Sequence, residues 1–173
     1  MRSRTSAAVG SAVFFVVAPG TMVGLIPWLI SGWELRQPLP YWIAAQVLGA
    51  VLICAGLYAC VHAFARFAAA RGTPAPVAPT EHLVVDGLHR YVRNPMYVAL
   101  TAVNIGEALL FGSWGVALWA LVFWAVTAVF VRLYEEPTMA RSFGAEYAEY
   151  RRNVPAWLPR LRPWQAPRTG AAG

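Results

Sequence analysis

The chain contains no lysine: all 14 of its basic residues are arginine, set against 8 acidic residues. Charged side chains make up only 13% of the 173 residues, too few to cover the surface of a water-soluble domain. Cysteine is scarce as well. Cys54 and Cys60 lie six residues apart inside one apolar segment, which excludes a disulfide framework and a zinc site of the usual close spacing. Of the three histidines only His62 falls in an apolar stretch, so no pair of axial ligands is available for a haem held between helices. Arginines border the apolar segments instead of forming a stripe, which argues against nucleic acid as a partner. Internal repeats, low-complexity tracts and a Gly-rich dinucleotide turn are all missing.

What is abundant is apolar surface. At 58% the apolar fraction exceeds the roughly 45–50% of ordinary soluble domains. Three regions are nearly free of charge: Thr5 to Trp33, Gln37 to Ala65, and Pro95 to Val131, the last broken only by Glu107. The first is too long for the apolar core of a signal peptide and reads as a retained span. About 20 apolar residues cross a bilayer, so the third region accommodates two short helices, with Gly112, Ser113 and Gly115 marking the turn. The expected fold is all-α: an integral membrane bundle of about four transmembrane helices, Ala7 to Ile30, Tyr41 to Phe67, Pro95 to Phe111 and Trp114 to Tyr134. Pro19, Gly20 and Pro27 should kink the first of them.

All arginines except Arg36 fall in the N-terminus, the Arg66 to Arg93 loop or the C-terminal part, which predicts that these segments and both termini are cytosolic. Arginine in place of lysine, with abundant alanine, points to a GC-rich bacterial genome and hence to the bacterial inner membrane. In the tail, Met139, Phe143, Tyr147 and Tyr150 recur at helical spacing opposite Arg141, Glu149 and Arg152, an amphipathic helix that lies on the membrane or caps the bundle. Val154-Pro155 ends it, and residues 160–173 read as a flexible tail. The whole chain, 1–173, reads as one domain.

Folding the third apolar region about its turn places residues equidistant from that turn at one depth. Tyr97 is then level with about Val131 to Tyr134. Arg93-Asn94-Pro95-Met96-Tyr97 and Glu135-Glu136-Pro137, distant in sequence, should therefore meet at one mouth of the hairpin. Spacing alone leaves two readings open: an interfacial ion pair between Arg93 and one of the acids, or a binding site. Elsewhere, His62 could be a packed helix residue, a ligand or a base. Glu107, near Asn104 and Thr101, either lines a polar cavity or snorkels to the outer interface.

The string Gly72-Thr73-Pro74 followed by Leu83-Val84-Val85-Asp86-Gly87-Leu88-His89-Arg90-Tyr91-Val92-Arg93-Asn94-Pro95-Met96-Tyr97 resembles the Arg-His/Asn-Pro-x-Tyr signature of isoprenylcysteine carboxyl methyltransferases and related phospholipid methyltransferases. Glu135-Glu136, Phe143-Gly144-x-Glu146-Tyr147-x-x-Tyr150 and Val154-Pro155 resemble that family's C-terminal pattern in the same order, so the likeness runs from about residue 72 to 159. His89 stands where the family commonly has Tyr, Asn94 where His is frequent, and Ala99 where a small Gly often follows.

That resemblance implies an S-adenosylmethionine site at the hairpin mouth. Carried over by position, its contacts would be Glu81, His82, Leu83, Val84, His89, Asn94, Pro95, Met96, Tyr97, Glu135 and Glu136. Arg93 and Arg132 would be the catalytic arginines, Arg132 lying next to Val131, the position of a substrate-site Arg in eukaryotic relatives. No metal is implied. The implied activity is transfer of a methyl group to a lipid-like or prenylated small acceptor, a carboxylate, thiol or amine, entering from the lipid bilayer. Rival readings are a non-enzymatic membrane scaffold and a haem-binding electron-transfer protein.

Overall fold

The computed structural model describes residues 17–69, 83 and 85–165, and every regular element among them is helical. The elements in order are α1 (Val17–Ser31), α2 (Ile43–Ala69), a 3₁₀ turn (Gly87–Arg90), α3 (Pro95–Phe111), α4 (Trp114–Phe130) and α5 (Glu136–Asn153). α1 to α4 correspond to the four expected spans, except that residues 7–16 of the first lie outside the described residues. Large apolar side chains such as Leu29, Val47, Val51, Leu118, Leu121, Val126 and Leu133 are exposed along the helices. An aqueous surface of that kind would be costly, whereas a bilayer matches it. The chain is a helical integral membrane bundle.

Packing within it is set by small residues. A Cβ built on Gly49 would lie 2.5 Å from the carbonyl oxygen of Gly106, and one on Gly56 would lie 2.7 Å from that of Ala99. Glycine at these positions lets the backbones of α2 and α3 touch, the usual basis of helix association where lipid removes the hydrophobic drive. Cys60, Ala99, Leu100 and Phe123 form a buried cluster next to this seam, flanked by Met22, Val23, Ala59 and Trp119. Cys54 is exposed and Cys60 buried, and both are free thiols.

The turn between α3 and α4 is written locally. Gly112 adopts the left-handed conformation (φ 58°) that ends α3, and a side chain there would strike the carbonyl of Arg36. Ser113 then caps α4 by accepting from the Val116 N–H at 3.3 Å. The last carbonyls of α3, which have no helical partner, are taken by side chains of α2 and its approach: Trp42 Nε1 donates to Leu109 at 2.8 Å and Gln46 Nε2 to Leu110 at 3.2 Å.

Two helices are interrupted by a widened π-turn followed by a proline. In α1 the π-turn spans Thr21–Leu25, where the Ile26 N–H donates to the Thr21 carbonyl. Pro27 has no N–H, so the Met22 carbonyl lacks a helical donor, and Trp119 Nε1 of α4 supplies one at 2.9 Å. The kink expected around Pro19, Gly20 and Pro27 takes this form. At the end of α4 a second π-turn, Val131–Glu135, joins directly to α5, with Pro137 in its first turn.

α5 carries the predicted amphipathic stripe. Tyr147, Tyr150 and Val154 form a second buried cluster with Met139, Phe143, Leu83, Val85 and Trp164. The expectation of a flexible tail from residue 160 is corrected for its first residues. Arg160 N–H donates to the Tyr91 carbonyl at 3.0 Å and Trp164 N–H to that of Arg90 at 2.9 Å, so the tail straps the segment before α3.

Candidate functional site

The segment leading into α3 is held from both sides. Asp86 accepts from the Gly87 N–H at 2.8 Å and starts the 3₁₀ turn. The Tyr150 hydroxyl donates to the His89 carbonyl at 2.7 Å, and Arg90 Nε donates to the Trp164 carbonyl at 2.8 Å. Further on, the Arg93 N–H donates to the Pro155 carbonyl at 2.9 Å and Asn94 Nδ2 to that of Ala156 at 3.1 Å. Asn94 donates through Nδ2 to this strap, and it precedes α3 without a side-chain cap. Pro95 follows at the first turn, where its missing N–H costs nothing.

The two polar clusters meet at this end of the α3–α4 hairpin. Arg93 Nη1 donates to Glu136 Oε1 at 2.7 Å and to the Tyr147 hydroxyl at 3.2 Å. Both members of the pair are shielded, their side chains 12% and 13% exposed, and Arg151 approaches the other oxygen of Glu136 at 3.5 Å. Glu136 is thereby bracketed by two arginines. Its neighbour behaves differently: the Tyr97 hydroxyl hydrogen-bonds the Glu135 carboxylate, and Glu135 Oε2 is buried without any partner. Arg93 Nε is buried and unpartnered in the same way. Buried polar atoms are normally satisfied, so an acceptor and a charged donor left without partners near one end of the hairpin are unusual.

The adjacent acids differ in their partners. Glu136 makes the ion pair, and Glu135 keeps one buried oxygen without a partner. His89 is half-buried, and burial holds its imidazole below the ordinary histidine range, opposed by the hydrogen bond and charge of Asp86. Leu83 joins the aromatic cluster of α5, Pro95 is buried, and Met96 is half-buried. Arg132 is exposed, whereas Val131 beside it is buried at 3%. Glu81, His82 and Val84 lie outside the described residues.

The strap residues Arg160 and Trp164 had no signal in the sequence beyond an aromatic suited to an interface. Tyr147 and Tyr150 were visible as an apolar stripe, but their hydroxyl contacts to Arg93 and His89 were not. Glu107 is only 6% exposed and Asn104 fully buried, which excludes snorkelling; Glu107 Oε2 and Asn104 Oδ1 are both unpartnered. Thr101 turns back to the Tyr97 carbonyl at 2.8 Å.

A model of the phospholipid methyltransferase family matches residues 44–146, more than half of the chain, including Arg93, Tyr97, Glu135 and Glu136. The chain belongs to the phospholipid methyltransferase family. It is also similar to a protein-S-isoprenylcysteine O-methyltransferase of Schizosaccharomyces pombe, 35% identical over 78 residues, which are 44% of this chain and 33% of that relative. The chain therefore matches about a third of the length of this curated member. For a phospholipid methyltransferase family protein, α1 and the strap from Tyr147 onward lie outside the matched segment, yet both pack against it.

Proposed function

We propose that this protein is an integral membrane methyltransferase that uses S-adenosylmethionine to methylate a lipid-like or prenylated small acceptor at the cytosolic face. The observation that carries the reading is the unsatisfied Glu135 Oε2, buried beside Tyr97 within the family-matched segment.

The residues present fit this methyl donor. Glu135 Oε2 suits a ribose hydroxyl or the amino group of the aminoacyl end, Arg93 Nε suits its carboxylate, and the ring of Tyr97 suits a sulfonium cation. Glu81, His82, Leu83, Val84, His89, Asn94, Pro95, Met96 and Glu136 would complete the surroundings, Asn94 and Glu136 by holding the mouth in shape. S-Adenosylmethionine supplies an electrophilic methyl group on sulfur. What the protein must do is align the acceptor, exclude water and deal with any proton on the nucleophile, and no covalent enzyme intermediate is needed. Arg93 orients the polar end through the Glu136 pair, and exposed Arg132 is placed to meet an acceptor headgroup arriving from lipid.

The orientation proposed puts both termini and the Arg66 to Arg93 loop in the cytosol, with the acceptor entering laterally. Calorimetry of the protein in lipid nanodiscs with S-adenosylmethionine tests the core of the proposal. Saturable binding is expected, and its absence in folded protein refutes the reading.

A further inference from the structure

The apolar stripe of α5 is spent inside the molecule, where Tyr147, Tyr150 and Val154 are buried against Met139, Phe143 and Trp164. The apolar surface beside the mouth comes instead from the strap, residues 154–165. Leu158 is 79% exposed and Leu161 99% exposed, although the segment that carries them is pinned by hydrogen bonds. Arg160 and Trp164, on either side of Leu161, hold the Tyr91 and Arg90 carbonyls through their N–H groups. Leu161 is therefore turned outward on a fixed support, over the segment that leads to Arg93.

Trp157 fixes the level of this surface. Its ring meets that of Trp124 edge-on, at 6.2 Å between centroids and 69° between planes. Trp124 is exposed on α4 and precedes Glu135 by about 16 Å of helix, toward the bilayer centre. The Trp157 ring thus reaches from the mouth into the apolar zone, and the strap continues the lipid-facing surface of α4. Irregular backbone is not tolerated in the hydrocarbon core, so the strap itself belongs at headgroup level. Its charge fits that level. Between Arg151 and Gln165 there are four arginines and no acid. Arg151 is drawn to Glu136 and Arg160 donates to the Asn153 carbonyl, whereas exposed Arg152 and Arg162 have no ion-pair partner among the described residues.

We propose that the strap is a lipid-binding surface: Trp157, Leu158 and Leu161 insert into the leaflet on the mouth's side, and Arg152 and Arg162 attract the phosphates of anionic glycerophospholipids. Aromatic and aliphatic side chains flanked by arginine suit an anionic interface, where the chains enter the acyl boundary and the guanidinium groups stay among the headgroups. The occupant is the bilayer and not a second protein, because the surface is continuous with the lipid face of α4 and carries positive charge with no acid beside it in the strap. The inference needs the membrane bundle and is independent of methyl transfer.

The test uses the full chain in nanodiscs of phosphatidylcholine and phosphatidylglycerol in equal amounts. A photoreactive benzoylphenylalanine replaces Leu161, whose exposure means that the fold should not depend on it. The same replacement at Leu158 gives a second position, and one at Ala145, exposed on the face of α5 opposite Tyr147, gives the control. After illumination, mass spectrometry should find lipid adducts at positions 161 and 158 but not at 145. At position 161 phosphatidylglycerol adducts should exceed phosphatidylcholine adducts by about five-fold or more, and Arg152→Gln combined with Arg162→Gln should bring the two lipids to parity. Absence of lipid adducts at both leucine positions, in protein whose thermal midpoint is unchanged, overturns the proposal. So do adducts to a second copy of the chain in place of lipid. Parity of the two lipids with both arginines present overturns the role given to Arg152 and Arg162.

Discussion

In α1 the widened turn Thr21–Leu25 is followed two residues later by Pro27, and at the end of α4 the widened turn Val131–Glu135 is followed two residues later by Pro137. The backbone device is the same, and a proline that cannot donate accounts for both. Their surroundings differ. The first turn lies among Met22, Val23 and Trp119, has no ionisable side chain, and has its orphaned carbonyl satisfied by an indole from α4. The second presents Glu135 and Glu136, one closed by two arginines and the other left with an open oxygen. A π-turn is therefore no functional signal by itself. What sets the second one apart, and makes it the proposed site, is the charge it displays and the incomplete set of partners around it.

The strongest way to break this contrast is Glu136→Ala, which leaves Arg93 shielded from water without its carboxylate. Losing one partner of a buried ion pair costs about 3 kcal/mol, and the thermal midpoint in detergent should fall clearly. Glu135→Gln tests the other acid: its fold should survive, while affinity for S-adenosylmethionine should weaken about ten-fold to a hundred-fold, equivalent to roughly 1.5–3 kcal/mol. Tyr97→Ala should weaken it as well. Unchanged affinity in both variants by calorimetry would remove this mouth from the methyl-donor site.

Trp119→Phe sharpens the comparison from the side of the first turn. It withdraws one hydrogen bond from the Met22 carbonyl, costing about 1 kcal/mol of stability with no change in methyl-donor affinity. A smaller effect should appear with pH. The lowered folded-state pKa of His89 means that the unfolded chain binds the proton first. That contribution to stability is complete above about pH 6.5, declines as pH falls from there to the depressed folded value, and is level below it. His89→Gln should remove this slope from unfolding curves measured between pH 7 and 5. Glu149→Gln, on the polar face of α5, should change neither stability nor affinity by a measurable amount.

Much of the site could be read from local patterns because those patterns have local causes. The hairpin is set by Gly112 and Ser113, which stop one helix and cap the next, and equal depth on its two arms brings Arg93 and Tyr97 to Glu135 and Glu136. Which acid would be closed by an ion pair and which would keep an unpartnered oxygen was not legible. That depends on a widened turn that rotates two neighbouring residues onto different partners, and on Tyr147 and Arg151, which reach Glu136 only after α5 has docked. The strap was hidden for a related reason: Arg160 and Trp164 act through backbone and side-chain bonds to residues about seventy positions away, and such pairing leaves no periodicity in the sequence.

The sequence by itself determined the helical spans, the turn between α3 and α4, and the family whose motifs occupy the mouth. Apolar length, glycine and proline act through nearest neighbours and through the solvent, so no tertiary knowledge is needed to read them. Only the tertiary structure decided that Glu135 and Arg93 each retain a buried atom without a partner. Whether a polar atom is satisfied is a property of everything packed around it, and not of its neighbours in sequence.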